Sequence, residues 1–359
     1  MATPLNLAVI GTNWITDSFV QSAHESKAFK LVAVYSRKLE TAQKFISETA
    51  SIADASSVRS FDDLDKFLSD SAIHVVYIAS PNSLHYEQAS KALNAGKHVI
   101  LEKPAASNLK EFDDLFKLAD SKNLFLLEAY RHIQEPNFLQ LQSLLNDPQK
   151  RAEKLGPVYG ASVNMAVFSS RYVKVLEGEE PNVLSPKFSG GSLWDMGCYP
   201  VMFTLALFGK PASQSYSPVI IRTGVDGGGH MLLHYTAESS NQKEKFTVHA
   251  HTSKIYTSTA PTEIYTEKGT LRINGATGVT DINTVEFIPR GSKEAEQLAD
   301  TNPQYTGMLN LTWEAKELGR ILVEGDRKSE AVLRGLSRDV IEVMEDMRKQ
   351  NGIKFASEK

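Results

Sequence analysis

The segment "LNLAVIGTNWIT" (residues 5–16) runs six strand-forming residues into a glycine and then into a helix-length stretch. Strand, tight turn and helix in that order open a βαβ unit. At this turn a dinucleotide-binding protein carries G-x-G-x-x-G or G-x-G-x-x-A, and here only the first glycine, Gly11, is present. Asn13 stands at the second glycine's place and Thr16 at the third's. The first glycine permits the tight turn, the second lets backbone approach a pyrophosphate, and the third lets helix and strand pack closely. Gly11 keeps the first of these functions, and the helix N-terminus still offers unpaired N–H groups to an anion. Asn13 tolerates unusual backbone angles, and its side chain is expected to push a bound nucleotide slightly outward. A βα corner that binds nothing fits this turn equally well, so the neighbouring strands have to separate the two readings.

Up to about residue 128, short apolar runs alternate with helical patterns: "LNLAVI", "KLVAVYS", "IHVVYIAS", "KHVILEKP" and "NLFLLEA". Strands separated by helix-length segments imply right-handed crossovers and a parallel sheet covered on both faces. Gly96 is placed to end one helix in a left-handed cap, and Ser107 or Asn108 to start the next. From Gly156 onward the pattern becomes period-two alternation, as in "HMLLHYTAES", "KFTVHAHTS" and "TEIYTEKGTLRI", which favours an antiparallel sheet. One helix-like stretch, "GGSLWDMGCYPVMFTLALFG", interrupts this region, and two more close the chain. The expected fold is therefore α/β: a doubly wound parallel sheet over residues 1–128, then an α+β domain over 129–359 built on a largely antiparallel open sheet.

Length and composition agree. At 359 residues, with about 150 per domain, two domains are expected. A hydrophobic fraction of 42%, a charged fraction of 23% and a net charge of -4 describe a globular chain without the basic excess that nucleic acid would require. Cys198 is the only cysteine, which excludes an intrachain disulfide and a cysteine-rich zinc site. The N-terminus lacks the features of a secretory signal, and no apolar run approaches the roughly 18 residues of a membrane span, so a cytoplasmic protein is expected. His74, His98, His230, His234, His249 and His251 show no metal-ligand spacing with carboxylates or cysteines, and no metal is expected.

The far end of a bound nucleotide is addressed by "KLVAVYSRK". An NAD-selective protein places a carboxylate about 20 residues after the glycines to hold the adenosine ribose. Here the strand ends in Ser36, Arg37 and Lys38, a hydroxyl and two cations suited to a 2′-phosphate. NADP is thereby favoured, with NAD as the alternative.

Four separated stretches, "GTNWIT", "IASPNSLH", "GKHVILEKP" and "GGSLWDMGCYP", resemble the glucose-fructose oxidoreductase, inositol dehydrogenase and MocA family, and within it the branch of dimeric dihydrodiol dehydrogenases and NADP-dependent xylose dehydrogenases. The resemblance implies an N-terminal Rossmann domain and a C-terminal domain whose open sheet makes a homodimer or homotetramer interface. It implies a cofactor site at Gly11, Thr12, Asn13, Trp14, Ile15, Ser36, Arg37, Lys38, Ser80, Pro81, Asn82, His85, Glu102 and Lys103. Asn82 and His85 match the family's P-N-x-x-H loop on the nicotinamide side, and Lys103 lies in the E-K-P motif. Asp195 matches the substrate-orienting aspartate, and Tyr199 takes the place that many members give to a catalytic histidine.

Chemistry supports the same residues. Moving hydride from an alcohol carbon requires a group that removes the hydroxyl proton. A tyrosine, with an unperturbed pKa of about 10, needs a nearby cation for this, and Lys103 is the expected partner. On one continuous helix Asp195 and Tyr199, four residues apart, share a face, although Pro200 threatens a kink there. Arg131, His132, Arg171 and Tyr172 are further expected substrate contacts. The expected activity is hydride transfer between NADP and a sugar, polyol or trans-dihydrodiol. The competing function is a catalytically silent NADP-binding sensor or transcriptional co-regulator.

Overall fold

Six strands are laid side by side from the first third of the chain in a computed structural model, which describes residues 3–52, 54–275, 277–300 and 311–358. They are β1 (Leu5–Ile10), β2 (Phe29–Tyr35), β3 (Arg59–Phe61), β4 (Val75–Ile78), β5 (His98–Glu102) and β6 (Leu126–Ala129). All pair in parallel in the order β3-β2-β1-β4-β5-β6. Every residue of β4 and β6 is buried, as expected for strands covered on both faces. The crossovers are α1 (Trp14–Ser26), α2 (Leu39–Glu48), α3 (Leu64–Ser69), α4 (His85–Asn94) and α5 (Leu109–Ser121). Asn108 caps α5 by accepting the Glu111 N–H, while the Glu111 carboxylate accepts the Ser107 N–H, a reciprocal capping box. Gly96 takes a left-handed φ of 77° after α4. β3 has only three residues at the sheet edge, too short to leave a pattern in the sequence.

The second sheet has eight strands: β7 (Val158–Ala166), β8 (Ser213–Ile220), β9 (Asp226–Tyr235), β10 (Phe246–Ser253), β11 (Thr262–Thr266), β12 (Gly269–Gly275), β13 (Ile282–Pro289) and β14 (Glu296–Asp300). Their order is β14-β13-β12-β11-β7-β10-β9-β8. The pairing is antiparallel except between β7 and β10, which run parallel. This single parallel pair follows from the long excursion after β7, which carries α8 (Ser170–Leu176), α9 (Ser192–Asp195) and α10 (Cys198–Phe208). Before it come α6 (Pro136–Asn146) and α7 (Pro148–Lys154). α10 is buried on nearly all sides, as its apolar sequence requires. β9 alternates buried and exposed residues from Gly229 to Tyr235, leaving one face of the sheet outward.

The chain divides into two compact units, and the division is not contiguous. The first unit runs to Arg131 and also takes α11 (Leu311–Glu324) and the start of α12 (Arg327–Gln350) through Gly335. The second begins at His132 and takes α12 from Leu336. α11 presents Leu311, Ala315, Leu318, Ile321 and Leu322 to the same core as Val9, Phe19, Val20 and Phe29. A two-domain split at 128/129 misses this return, because an amphipathic helix does not announce which core its apolar face joins. Among the described residues, no helix is long and apolar enough to cross a membrane.

Candidate functional site

The first unit gathers candidate residues at the carboxyl ends of its strands, where ligands bind in doubly wound sheets. Gly11 has a φ of 108°, and a Cβ there would lie 2.6 Å from the carbonyl oxygen of Ala79. That approach fixes β1 against the end of β4, at the point where the strand order reverses. Asn13 does not take an unusual backbone angle: it is extended, at φ -89° and ψ 177°, and acts as the N-cap of α1. Its side-chain oxygen accepts the N–H groups of Ile15 at 3.0 Å and Thr16 at 3.1 Å, and its amide donates to Ala79 O at 2.9 Å. The expectation that Asn13 obstructs a nucleotide is therefore corrected, because its side chain is turned back onto the helix end. The N–H of Ile15 is taken by Asn13. Among the described residues the N–H groups of Thr12, Asn13 and Trp14 meet no acceptor and remain to receive a phosphate. Thr16 is wholly buried beside Gly11, close enough to do the third glycine's packing work.

At the end of β2, Arg37 and Lys38 are exposed and, among the described residues, neither makes an ion pair. α2 starts at Lys38 with no side-chain cap, so its first N–H groups are likewise open. Ser80 donates to Gln88 Oε1 at 2.7 Å. His85 is buried, with Nδ1 2.9 Å from Pro104 O and Nε2 2.9 Å from Ser80 O. Its ring thus ties the loop after β4, which contains Pro81 and Asn82, to the loop after β5.

The Lys103–Pro104 bond is cis, and Lys103 is half-buried. Around it, Ala105 N–H donates to Glu128 Oε1 at 2.7 Å and Tyr77 O–H donates to Glu102 Oε1 at 2.7 Å. Burial pushes the Glu102 carboxyl above its ordinary range, opposed by the Lys103 and Arg131 charges. Glu314 of α11, wholly buried and, among the described residues, without a hydrogen-bond partner, is pushed much further up by burial and by Glu102. Arg131, expected as a substrate contact, is buried beside these two carboxyls.

In the second unit the expected single helix is broken. α9 ends at Asp195, Met196 and Gly197 form a turn, and α10 starts at Cys198. Gly197 sits where a Cβ would lie 2.5 Å from Leu193 O, so the two helices meet through bare backbone. Pro200 makes no kink: it lies in the first turn of α10, where an N–H has no intrahelical acceptor to lose. Asp195 and Tyr199 therefore flank a corner and do not share one helical face. Asp195 pairs with Lys254, a buried lysine after β10 that the sequence did not reveal. α9 itself is fixed by Asp226, whose carboxylate accepts the Leu193 N–H at 2.6 Å and the Tyr216 O–H at 2.7 Å. Burial raises the Asp226 carboxyl, and the Tyr216 and Leu193 hydrogen bonds oppose the rise.

Tyr199 is half-buried, with its ring edge-on to His132 at 5.3 Å between centroids. His132 is wholly buried between Tyr199 and Phe138, so it backs the tyrosine instead of lining an open surface. Arg171 is exposed and Tyr172 half-buried on α8, the latter packed with Val175, Leu184 and Val225. Cys198 is buried, with its thiol 3.4 Å from Asp195 O. Three of the six histidines read from the sequence, His230, His249 and His251, come together on the outer face of the second sheet.

With this geometry in hand, similarity places the chain. Residues 5–130 match the family model GFO_IDH_MocA, described as "Oxidoreductase family, NAD-binding Rossmann fold". The chain is 37% identical to the uncharacterized oxidoreductase YgjR of Escherichia coli strain K12, over 99% of this chain and 98% of that one. It is 34% identical to scyllo-inositol 2-dehydrogenase (NADP(+)) IolU of Bacillus subtilis strain 168, over 99% of each. Among solved structures it resembles aldose-aldose oxidoreductase from Caulobacter crescentus complexed with glycerol, at a TM-score of 0.77 and 19% identity, over 97% of this chain and 98% of that one. The chain belongs to the glucose-fructose oxidoreductase, inositol dehydrogenase and MocA family of oxidoreductases, and is an enzyme acting on CH–OH groups.

Proposed function

We propose that this protein is an NADP-dependent dehydrogenase of polyols or sugars, with Tyr199 as its proton-transferring group. The observation that carries the cofactor choice is the end of β2, where Ser36, Arg37 and Lys38 stand with no carboxylate among them and both cations are exposed. The uncapped start of α2 adds donors at the same place. The open N–H groups of Thr12, Asn13 and Trp14 fit a pyrophosphate. A bound nicotinamide would accept or supply the hydride; the chain's own residues supply everything else. Lys103, half-buried at the end of β5, supplies a positive charge suited to the developing alkoxide. Tyr199 takes the hydroxyl proton as the alcohol is oxidised and returns it in the reverse direction. Asp195, held by Lys254, accepts a hydrogen bond from a neighbouring substrate hydroxyl, which suits a polyol. Similarity to the scyllo-inositol 2-dehydrogenase IolU supports the same substrate class.

The test is direct binding followed by turnover. NADPH is expected to bind at least about tenfold more tightly than NADH, and Arg37→Ala to abolish that preference while leaving NADH affinity unchanged. Initial rates with NADP over a panel of inositols, aldoses and dihydrodiols then identify the substrate. Equal affinity for the two cofactors in the wild type would overturn the assignment of the 2′-phosphate to Arg37.

A further inference from the structure

The outward face of the second sheet carries a cluster that the oxidoreductase chemistry does not use. His230 on β9 lies directly opposite His251 on β10, and His249 precedes His251 by two residues, so cross-strand pairing and strand alternation place all three on one face. The rings lie 5.3 to 5.8 Å apart between centroids. His230 Nδ1 is 3.1 Å from His249 Nε2, and one ligand nitrogen from each of the three falls within 4.8 Å of the others. Two imidazole nitrogens on a tetrahedral zinc, each at about 2.0–2.1 Å, are about 3.3 Å apart. The His230–His249 spacing is already close to this, and His251 needs only a side-chain adjustment to close the third edge. His251 Nδ1 is buried and, among the described residues, has no hydrogen-bond partner.

We propose that His230, His249 and His251 form a binding site for a divalent transition-metal ion of the zinc type, with water completing the coordination. Imidazole nitrogens without thiolates suit zinc, copper and nickel and do not suit calcium or magnesium. All three ligands come from one chain, so the site is complete without a second copy. Burial holds His249 below the ordinary histidine range and, with the charges of His230 and His249, lowers His251 to about 4. Neutral imidazole is the ligating form, so protons and metal compete for these nitrogens. Other titratable groups on this face include His234 on β9, Glu263 and Tyr265 on β11, Arg272 on β12 and Glu286 on β13, where Tyr265 O–H donates to Glu263 at 3.1 Å and Arg272 pairs with Glu286. Bound metal would clip β9 to β10.

Calorimetric titration of the untagged, metal-depleted protein with Zn2+ is expected to show one saturable site per chain, weakening as pH falls through the histidine range. His230→Ala and His251→Ala are each expected to weaken binding at least about tenfold, and His234→Ala to leave it unchanged. Zn2+ should raise the melting temperature of the wild type and of His234→Ala but not of His251→Ala, all three having the same melting temperature without metal. No saturable binding by the wild type, or equal binding by His251→Ala, overturns the proposal.

Discussion

Tyr199 shows how much a single position depends on what stands behind it. Its type and its place in "DMGCYP" are readable from the sequence; its support is not, because His132 reaches its ring from 67 residues earlier in the chain. Tyr199→Phe removes only the hydroxyl and keeps the edge-on contact with His132. Turnover should fall by about 10²–10⁴-fold with NADPH affinity unchanged, as measured by steady-state rates beside a fluorescence titration. A variant with near-normal turnover would remove Tyr199 from proton transfer. Asn13 gives the complementary lesson. As a letter in a glycine motif it looks like an obstruction, yet as an N-cap it is among the residues most suited to its position. Position in a motif specifies location, whereas the role depends on where the side chain turns.

At the scale of elements, the corner between α9 and α10 sets the relation of Asp195 to Tyr199. Sequence periodicity runs one helix through "SLWDMGCYPVMFTLALF", with Gly197 and Pro200 in its interior as the two residues that could break or kink it. The break becomes visible only through the close approach of Gly197 to Leu193 and the anchoring of α9 by Asp226. Gly197→Ala forces a methyl group against main chain that cannot swing aside, and should cost about 1–3 kcal/mol in a denaturant titration. It should also lower turnover while cofactor binding stays normal. Unchanged stability would show that the corner has slack. Asp226 and Lys254 left no usable signal in the sequence: one lies beside a glycine run and the other in a serine- and threonine-rich stretch, and each holds a distant segment, Asp226 through Leu193 and Lys254 through Asp195.

Across the whole chain, α11 returns to the first unit and delivers Glu314 to Glu102 and Arg131. Because burial and the neighbouring Glu102 raise the Glu314 carboxyl far above its ordinary range, the folded state holds a proton there that the unfolded chain releases. Its contribution to stability is therefore complete below the ordinary glutamate range and is lost as pH rises toward the raised value. Glu314→Gln cannot ionise and escapes that loss. The variant's stability relative to wild type, read from urea midpoints, should climb as pH rises above the ordinary glutamate range, at a slope of up to about 1 kcal/mol per pH unit. Parallel curves would show that Glu314 ionises like a solvent-exposed carboxyl.

The sequence by itself determined the doubly wound sheet, the strand-rich second half and the positions of the E-K-P and D-M-G-C-Y-P motifs. These are local properties: apolar period, turn residues and short spacings act between neighbours in the chain. The tertiary structure alone decided the parallel β7–β10 pair, the Asp195–Lys254 and Glu102–Glu314–Arg131 groupings, the cap formed by Asn13 and the meeting of three histidines. Each depends on which distant segments are brought side by side, and that is governed by strand register and core packing, to which no short window of sequence is sensitive.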